Sequence, residues 1–251
     1  MNGTMISMMT KTRRMITIRY AHITPNSFNE DADEHNDLHL LLYHWCLESE
    51  EYRNFYKDSV KYKILDNSYY ELRIPPKADE LLKQAVLIGA DEVVAPDVMH
   101  NRRETIGKLT MFLSKSKNFK FKVNAVVCGD SKAELMECFR YYLTHPNVDV
   151  ISFSRRGCRV DGEFHDDTRF ELVNRASQWM KQKGIFKPIH LLGANGISDY
   201  YRHWPDEVRS IDSKQFATAV LGKWKLDTES TKIDRECFEY IVSKLKTRHN
   251  K

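Results

Sequence analysis

The five cysteines, Cys46, Cys128, Cys138, Cys158 and Cys237, include no C-x-x-C pair; they are odd in number and scattered. That excludes a disulfide framework and a sequence-local structural zinc site, and it points to a reducing, cytoplasmic setting. No apolar run approaches the roughly 20 residues of a membrane helix. The opening stretch carries its basic residues after its apolar ones, the reverse of a secretory signal. There is no internal repeat, low-complexity tract or Pro/Gly-rich linker to mark a domain boundary. A G-x-G-x-x-G turn, which would mark a dinucleotide-binding sheet, is also missing. Neither sign of charge dominates: 39 Lys and Arg against 35 Asp and Glu leave +4, which permits an acidic partner without demanding one.

What is there is material for a packed interior, with 41% hydrophobic and 29% charged residues in a chain of 251, a length that α/β barrels fill as one unit. Five of the nine methionines fall in the first fifteen residues, so 1–14 reads as a disordered lead and 15–251 as a single domain. From Met15 onward short β-type runs alternate with amphipathic segments. Strands are expected at Met15–Tyr20, Tyr62–Leu65, Glu92–Ala95, Phe121–Val127, Asp149–Phe153, Pro188–Leu192, Val208–Ile211 and Ala217–Leu221. Helices are expected at Leu38–Tyr56, Ala78–Ile88, Arg103–Leu113, Lys132–Leu143, Thr168–Lys183 and Asp234–Leu245. Eight strands with intervening helices suggest an α/β fold of the (β/α)8 TIM-barrel type, irregular where the last two strands follow closely; an open doubly wound sheet gives the same alternation.

Chemistry in such a barrel sits just after the strands. Those positions hold Asp66-Asn67-Ser68, Pro96-Asp97, Cys128-Gly129-Asp130, Ser154-Arg155-Arg156, Leu192-Gly193 and Asp212-Ser213. Asp and Asn are also common turn formers and helix caps, and Asp130, before Ser131-Lys132-Ala133-Glu134, reads most easily as a cap. Asp66, Asp97 and Asp212 each follow an apolar run that aims them at the barrel mouth. Carboxylates held there suit a cationic transition state such as glycosidic cleavage, one acting as nucleophile and another moving the proton. Arg102, Arg103, Arg155, Arg156, Arg159 and Lys214 offer a modest basic rim, or merely a solvated surface. Tyr69 and Tyr70 offer stacking faces, whereas His190, inside an apolar strand, reads as a satisfied core residue. Nothing spells a metal site.

At these residues the sequence resembles a family. Ile64-Leu65-Asp66-Asn67-Ser68 with Glu71, Ala90 through Asp97, His190-Leu191-Leu192-Gly193 and Arg209-Ser210-Ile211-Asp212 look like the ordered blocks of the tRNA-guanine transglycosylase superfamily, most of all its short phage-type branch. The resemblance implies a pentosyltransferase that exchanges guanine in nucleic acid, DNA favoured over tRNA, for a 7-deazaguanine base, in the host cytoplasm if phage-encoded. It implies Asp212 as nucleophile forming a covalent glycosyl-enzyme and Asp66 as general acid/base. Asp97 would read the base edge, with Asn67, Cys128, Gly129 and Gly193 around it; Cys128 stands where the family has glutamine. The basic rim would hold the nucleic acid, and no cofactor is implied. The family's C-x-C-x-x-C zinc subdomain has no counterpart here. The rival readings are tRNA-directed exchange, N-glycosidase hydrolysis, and a non-catalytic nucleic-acid-binding barrel.

Overall fold

The computed structural model describes residues 18–24, 26–158, 166–194, 199 and 202–214. Eight strands form one sheet: β1 (Arg19–His22), β2 (His39–Leu42), β3 (Lys63–Asp66), β4 (Glu92–Val94), β5 (Lys122–Val126), β6 (Val150–Ser154), β7 (Ile189–Leu192) and β8 (Val208–Ser213). Their order is β1-β8-β7-β6-β5-β4-β3-β2, and every hydrogen-bonded neighbour is parallel. This is a (β/α)8 TIM-type barrel. The helices between strands are α1 (Asn29–His35), α2 (Tyr43–Glu48), α3 (Glu50–Asp58), α4 (Tyr69–Leu72), α5 (Ala78–Leu87), α6 (Arg102–Ser116), α7 (Lys132–Thr144) and α8 (Asp166–Lys183). Among the described residues no helix is long and apolar enough to cross a membrane.

Strands covered on both faces read as continuous apolar runs, and β3 to β7 lie close to where such runs place them. The stretch Leu38–Tyr56 departs from expectation. It was expected to be one helix, but His39-Leu40-Leu41-Leu42 is a fully buried strand, and the helical part is broken at Ser49 into α2 and α3. A leucine run is equally apolar in either period, and only the vacancy beside β3 decides in favour of a strand. The eighth strand of the barrel is Val208–Ser213. The expected strand Ala217–Leu221, the closing helix Asp234–Leu245 and the lead 1–14 lie outside the described residues. The cap of α7 is Ser131, whose Oγ accepts from Glu134 N–H at 3.2 Å; the Asp130 N–H instead donates to the Glu134 carboxylate. This is a capping arrangement displaced by one residue from the one expected.

β1 and β2 are the two ends of the sheet order, and side chains join them. Asn36 Oδ1 accepts from His22 N–H at 2.7 Å while Asn36 Nδ2 donates to the His22 carbonyl at 3.0 Å. Asp37 repeats the motif on Tyr20, its Oδ2 accepting from Tyr20 N–H and its own N–H donating to the Tyr20 carbonyl, both at 3.0 Å. Two residues ahead of β2 thus act as a strand for β1, so that edge's amides are bonded rather than buried bare.

The barrel interior is polar at both ends. At the N-terminal end Glu92, wholly buried, is bonded by Arg209, by Tyr62 Oη (2.8 Å) and by Asn124 Nδ2 (2.8 Å), and Ser152 Oγ donates to Asn124 Oδ1 at 2.6 Å. The carboxylate holds Arg209 charged and pushes it above its ordinary value, overcoming the cost of burial. Apolar layers such as Ile64 and Val94 separate this cluster from the opposite end.

Asn36→Ala leaves the buried His22 N–H and carbonyl without these partners. The expected loss is about 2 to 4 kcal/mol of unfolding free energy, read from urea denaturation.

Candidate functional site

At the C-terminal ends of the strands lies a cavity of about 430 Å³. Asp66 closes β3, Asp97 follows β4, Ser154 closes β6 and Asp212 sits near the end of β8. Asn67, Gly193, Arg155, Arg156 and Lys214 also line the cavity, along with Tyr69, Tyr70 and Glu71. Of the residues singled out from the sequence, these come together. Cys128, Gly129, Arg102 and Arg103 do not face the cavity.

Asp212 is 4% exposed and held by one oxygen. Gly193 N–H donates to Oδ1 at 3.0 Å and His190 Nε2 lies 3.1 Å from the same atom. His190 is fully buried, with its Nδ1 2.8 Å from Ser210 Oγ, so both ring nitrogens are engaged and its orientation is set. Gly193 presents its N–H from a backbone at φ +71°, a conformation in which a Cβ is strained. That turn is braced from outside. Arg169 of α8 donates from Nη1 to the carbonyls of Leu192 (3.1 Å) and Gly193 (2.7 Å) and pairs through Nη2 with buried Asp199. No sequence pattern marked Arg169 and Asp199, because they lie thirty residues apart and meet only through the fold.

Asp66 and Asn67 build the turn after β3. Asp66 Oδ2 accepts from Ser68 N–H and Asn67 Oδ1 from Tyr69 N–H, both at 2.8 Å, an Asx-turn pair that puts Ser68 in the left-handed region at φ 56°. Removal from water, with repulsion from Glu71 and then from Asp212 and Asp97, pushes Asp66 well above the usual carboxylate range. Its environment thus favours the protonated form more than water does.

Asp97 is buried as well, and burial lifts it to about 6 against the opposing bonds from Asn67 and Cys128. Asn67 Nδ2 donates to Asp97 Oδ1 at 2.8 Å and to the Ala95 carbonyl at 2.8 Å. Cys128 Sγ lies 3.6 Å from Asp97 Oδ2, a thiol that burial keeps protonated. Cys128 therefore supports Asp97 from behind, which corrects its expected place against a ligand. Gly129 is corrected too: a Cβ there would come within 2.7 Å of Glu134 Cβ, so its glycine serves the packing of α7. Arg102, the first residue of α6, pairs with Glu137 of α7, and Arg103 is exposed beside it. Both belong to the helix surface rather than the rim. The expected rim residue Arg159 lies outside the described residues. Among the described residues no three His, Cys, Asp or Glu side chains gather as a metal ion requires.

No protein-family model matches the chain, and no curated protein matches it by sequence. By fold it is similar to the YdjI aldolase from Escherichia coli K12, with 13% identity, a TM-score of 0.54, and coverage of 95% of this chain and 90% of the other. It is similar to a candidate fructose-1,6-biphosphate aldolase from Coccidioides immitis, with 10% identity, a TM-score of 0.56, and coverage of 94% and 92%. A HpcH/HpaI aldolase/citrate lyase family protein from Burkholderia cenocepacia J2315 gives 12% identity, a TM-score of 0.51, and coverage of 82% and 91%.

These barrels are aldolases and lyases, and none of the three is a transglycosylase. The resemblance to the tRNA-guanine transglycosylase superfamily is therefore corrected, and with it pentosyl transfer, base exchange in DNA or tRNA, N-glycosidase hydrolysis and the 7-deazaguanine partner. The physical reason lies in the blocks themselves: each is an apolar strand ending in a polar turn residue, which a parallel barrel repeats at every βα junction. The non-catalytic nucleic-acid-binding barrel gains no support either, since the expected basic rim divides between the cavity and the outside of α6.

Two outcomes are expected. Asp97's raised value means that the native state binds its proton more tightly than the unfolded chain, so its ionisation costs nothing below about pH 4 and on the order of 3 kcal/mol above about pH 6. Asp97→Asn should gain in melting temperature on the wild type as pH rises from 4 to 7, with a constant gap beyond. Gly193→Ala should lose roughly 1 to 2 kcal/mol in denaturant unfolding from its left-handed backbone.

Proposed function

We propose that the chain is an enzyme of the aldolase or lyase type, making or breaking a carbon–carbon bond beside a carbonyl group. The observation that carries this reading is one cavity lined by two aspartates in different settings: Asp66, pushed toward its protonated form by burial and neighbouring carboxylates, and Asp212, with one oxygen held in place by His190 and Gly193. Asp66 is assigned as the acid because its environment favours the proton-bearing form, and Asp212 as the base because fixed donors aim it. The three aldolase and lyase barrels of the same fold agree with the class and supply no residue roles.

In the cleavage direction Asp212 takes the hydroxyl proton of a β-hydroxy carbonyl substrate. The oxygen's electron pair closes to a new carbonyl as the carbon–carbon bond breaks, and the bonding pair moves onto the adjacent carbonyl as an enolate. Asp66 donates its proton to that enolate, giving the second product and leaving a carboxylate, so the proton count balances. Arg155, on the cavity wall, sets a guanidinium where developing negative charge needs it. His190 and Gly193 keep Asp212 aimed.

The test is release of two carbonyl products from a panel of β-hydroxy-α-keto acids and β-hydroxy ketones, followed by carbonyl derivatisation. Asp212→Asn and Asp66→Asn should each lower kcat by about 10² to 10⁴. The wild type should lose activity at high pH, as Asp66 gives up its proton, and Asp66→Asn should lack that alkaline limb. A panel with no carbonyl release, or both variants at wild-type rate, would overturn the reading.

A further inference from the structure

Around the cavity mouth three cations converge on one aromatic ring. Arg156 Cζ lies 4.5 Å from the centroid of Tyr70, Arg73 Cζ 4.6 Å and Lys214 Nζ 5.2 Å. They come from three separate places: Arg73 follows α4, Arg156 follows β6 and Lys214 follows β8. Like charges gathered from distant parts of a chain repel, and the ring's face offsets that only in part. One carboxylate answers them, Glu71, whose Oε1 is 3.1 Å from Lys214 Nζ. Neither Arg73 nor Arg156 has a carboxylate partner among the described residues. Two guanidinium groups thus lie over one ring without an ion pair among the described residues.

The backbone that delivers Tyr70 and Arg73 is independently unusual. The single turn α4 is bracketed by two non-glycine residues in the left-handed region, Ser68 at φ 56° and Arg73 at φ 60°. Such conformations cost energy and persist where surrounding structure imposes them, commonly at ligand-binding loops. Here the first comes from the Asx turn of Asp66 and the second turns Arg73 back over the ring. Pro75 and Pro76 follow at once and restrict the chain's freedom to relax.

We propose that Arg156, Lys214 and Arg73, assembled on Tyr70, form a binding site for a doubly charged oxyanion, a phosphoryl group carried by the substrate or free inorganic phosphate. Three cations on one ring, two of them guanidinium groups without an ion pair among the described residues, suit a phosphate monoester, which carries close to two negative charges at neutrality, better than a single carboxylate. Two guanidinium groups offer the forked donors that phosphate oxygens accept. Arg156, Lys214 and Tyr70 also line the cavity that holds Asp66 and Asp212, so an anion gripped there leaves the rest of a small molecule pointing inward. The assignment deepens the carbon–carbon lyase reading by naming what the substrate's far end carries, and binding tests it without turnover.

The experiment is calorimetric titration of the full chain with inorganic phosphate, and separately with acetate, at low ionic strength. Phosphate should saturate one site and bind at least tenfold more tightly than acetate. Arg156→Ala and Arg73→Ala should each weaken phosphate about tenfold, while Arg103→Ala, an exposed side chain at the start of α6 that does not line the cavity, should leave it unchanged. If Arg156→Ala fails to fold by circular dichroism, Arg156→Lys takes its place, with a smaller loss because the charge stays and the fork goes. Equal affinity for acetate, an equal loss in Arg103→Ala, or no saturable phosphate binding overturns the site. The same titration with glycerol 3-phosphate against glycerol separates the sources: a gain over inorganic phosphate assigns a phosphorylated substrate, and parity assigns free phosphate. Phosphate binding without carbonyl release from phosphorylated or plain substrates would sink the lyase reading and leave this site standing. Carbonyl release without phosphate binding would do the reverse.

Discussion

A carboxylate buried at the top of a closed barrel must be met by donors, and how Asp212 is met organises the surrounding structure. Its two partners, His190 and Gly193, belong to β7 and the turn after it, so the pairing of β7 with β8 sets the distance from acceptor to donor. That pairing carries a register shift at Ile189 and His190, and it leaves His190 opposite Ser210, which takes its other nitrogen. Outside the sheet, Arg169 holds the turn by its carbonyls, and buried Asp199 answers the arginine's charge. Trp204 covers the pair, donating from Nε1 to the Asp199 carbonyl at 2.8 Å. A helix on the outer ring is thereby coupled to an oxygen atom inside the cavity.

The two ends of the barrel divide the work. At the N-terminal end Glu92 and Arg209 form a buried pair, and Tyr62 and Asn124 donate to the same carboxylate. Replacing one member would strand the other's charge, so this cluster favours the register in which all its members meet, whatever its net stability. At the C-terminal end the carboxyls of three aspartates line one cavity. Asp66 and Asp97 are lifted in pKa chiefly by burial, and the free energy spent on keeping them there is what makes them responsive to a ligand. Stability and chemistry sit at opposite ends of one barrel, as the parallel arrangement of its strands allows.

Asp66, Asp97 and Asp212 could be read from the sequence because each follows an apolar run and the end of a strand has one direction. Their protonation could not, since that depends on mutual repulsion and on water being excluded from a cavity that no local pattern describes. The same reasoning misplaced Cys128 and Gly129: the rule that strand ends face the mouth holds for the first residue or so, after which the chain turns away to start α7. It also took short strand-and-turn blocks for a family signature, although the barrel itself generates them. Arg73 went unremarked because its relation to Tyr70 depends on a left-handed backbone, set up by a turn two residues before that ring.

The sequence by itself determined the alternation of strand and helix and the aspartates at the strand ends, because burial on two faces and the one-way direction of parallel strands write themselves into local apolar periodicity. Tertiary structure alone decided that His39–Leu42 is a strand rather than helix, since its apolar content suits either and only the place beside β3 is open to it. It alone decided which carboxyls are pushed toward their protonated form, which side chains join β1 to β2, and which cations share a ring. Those properties arise between residues distant in sequence, where distance and exclusion of water set the energy and no local pattern records them.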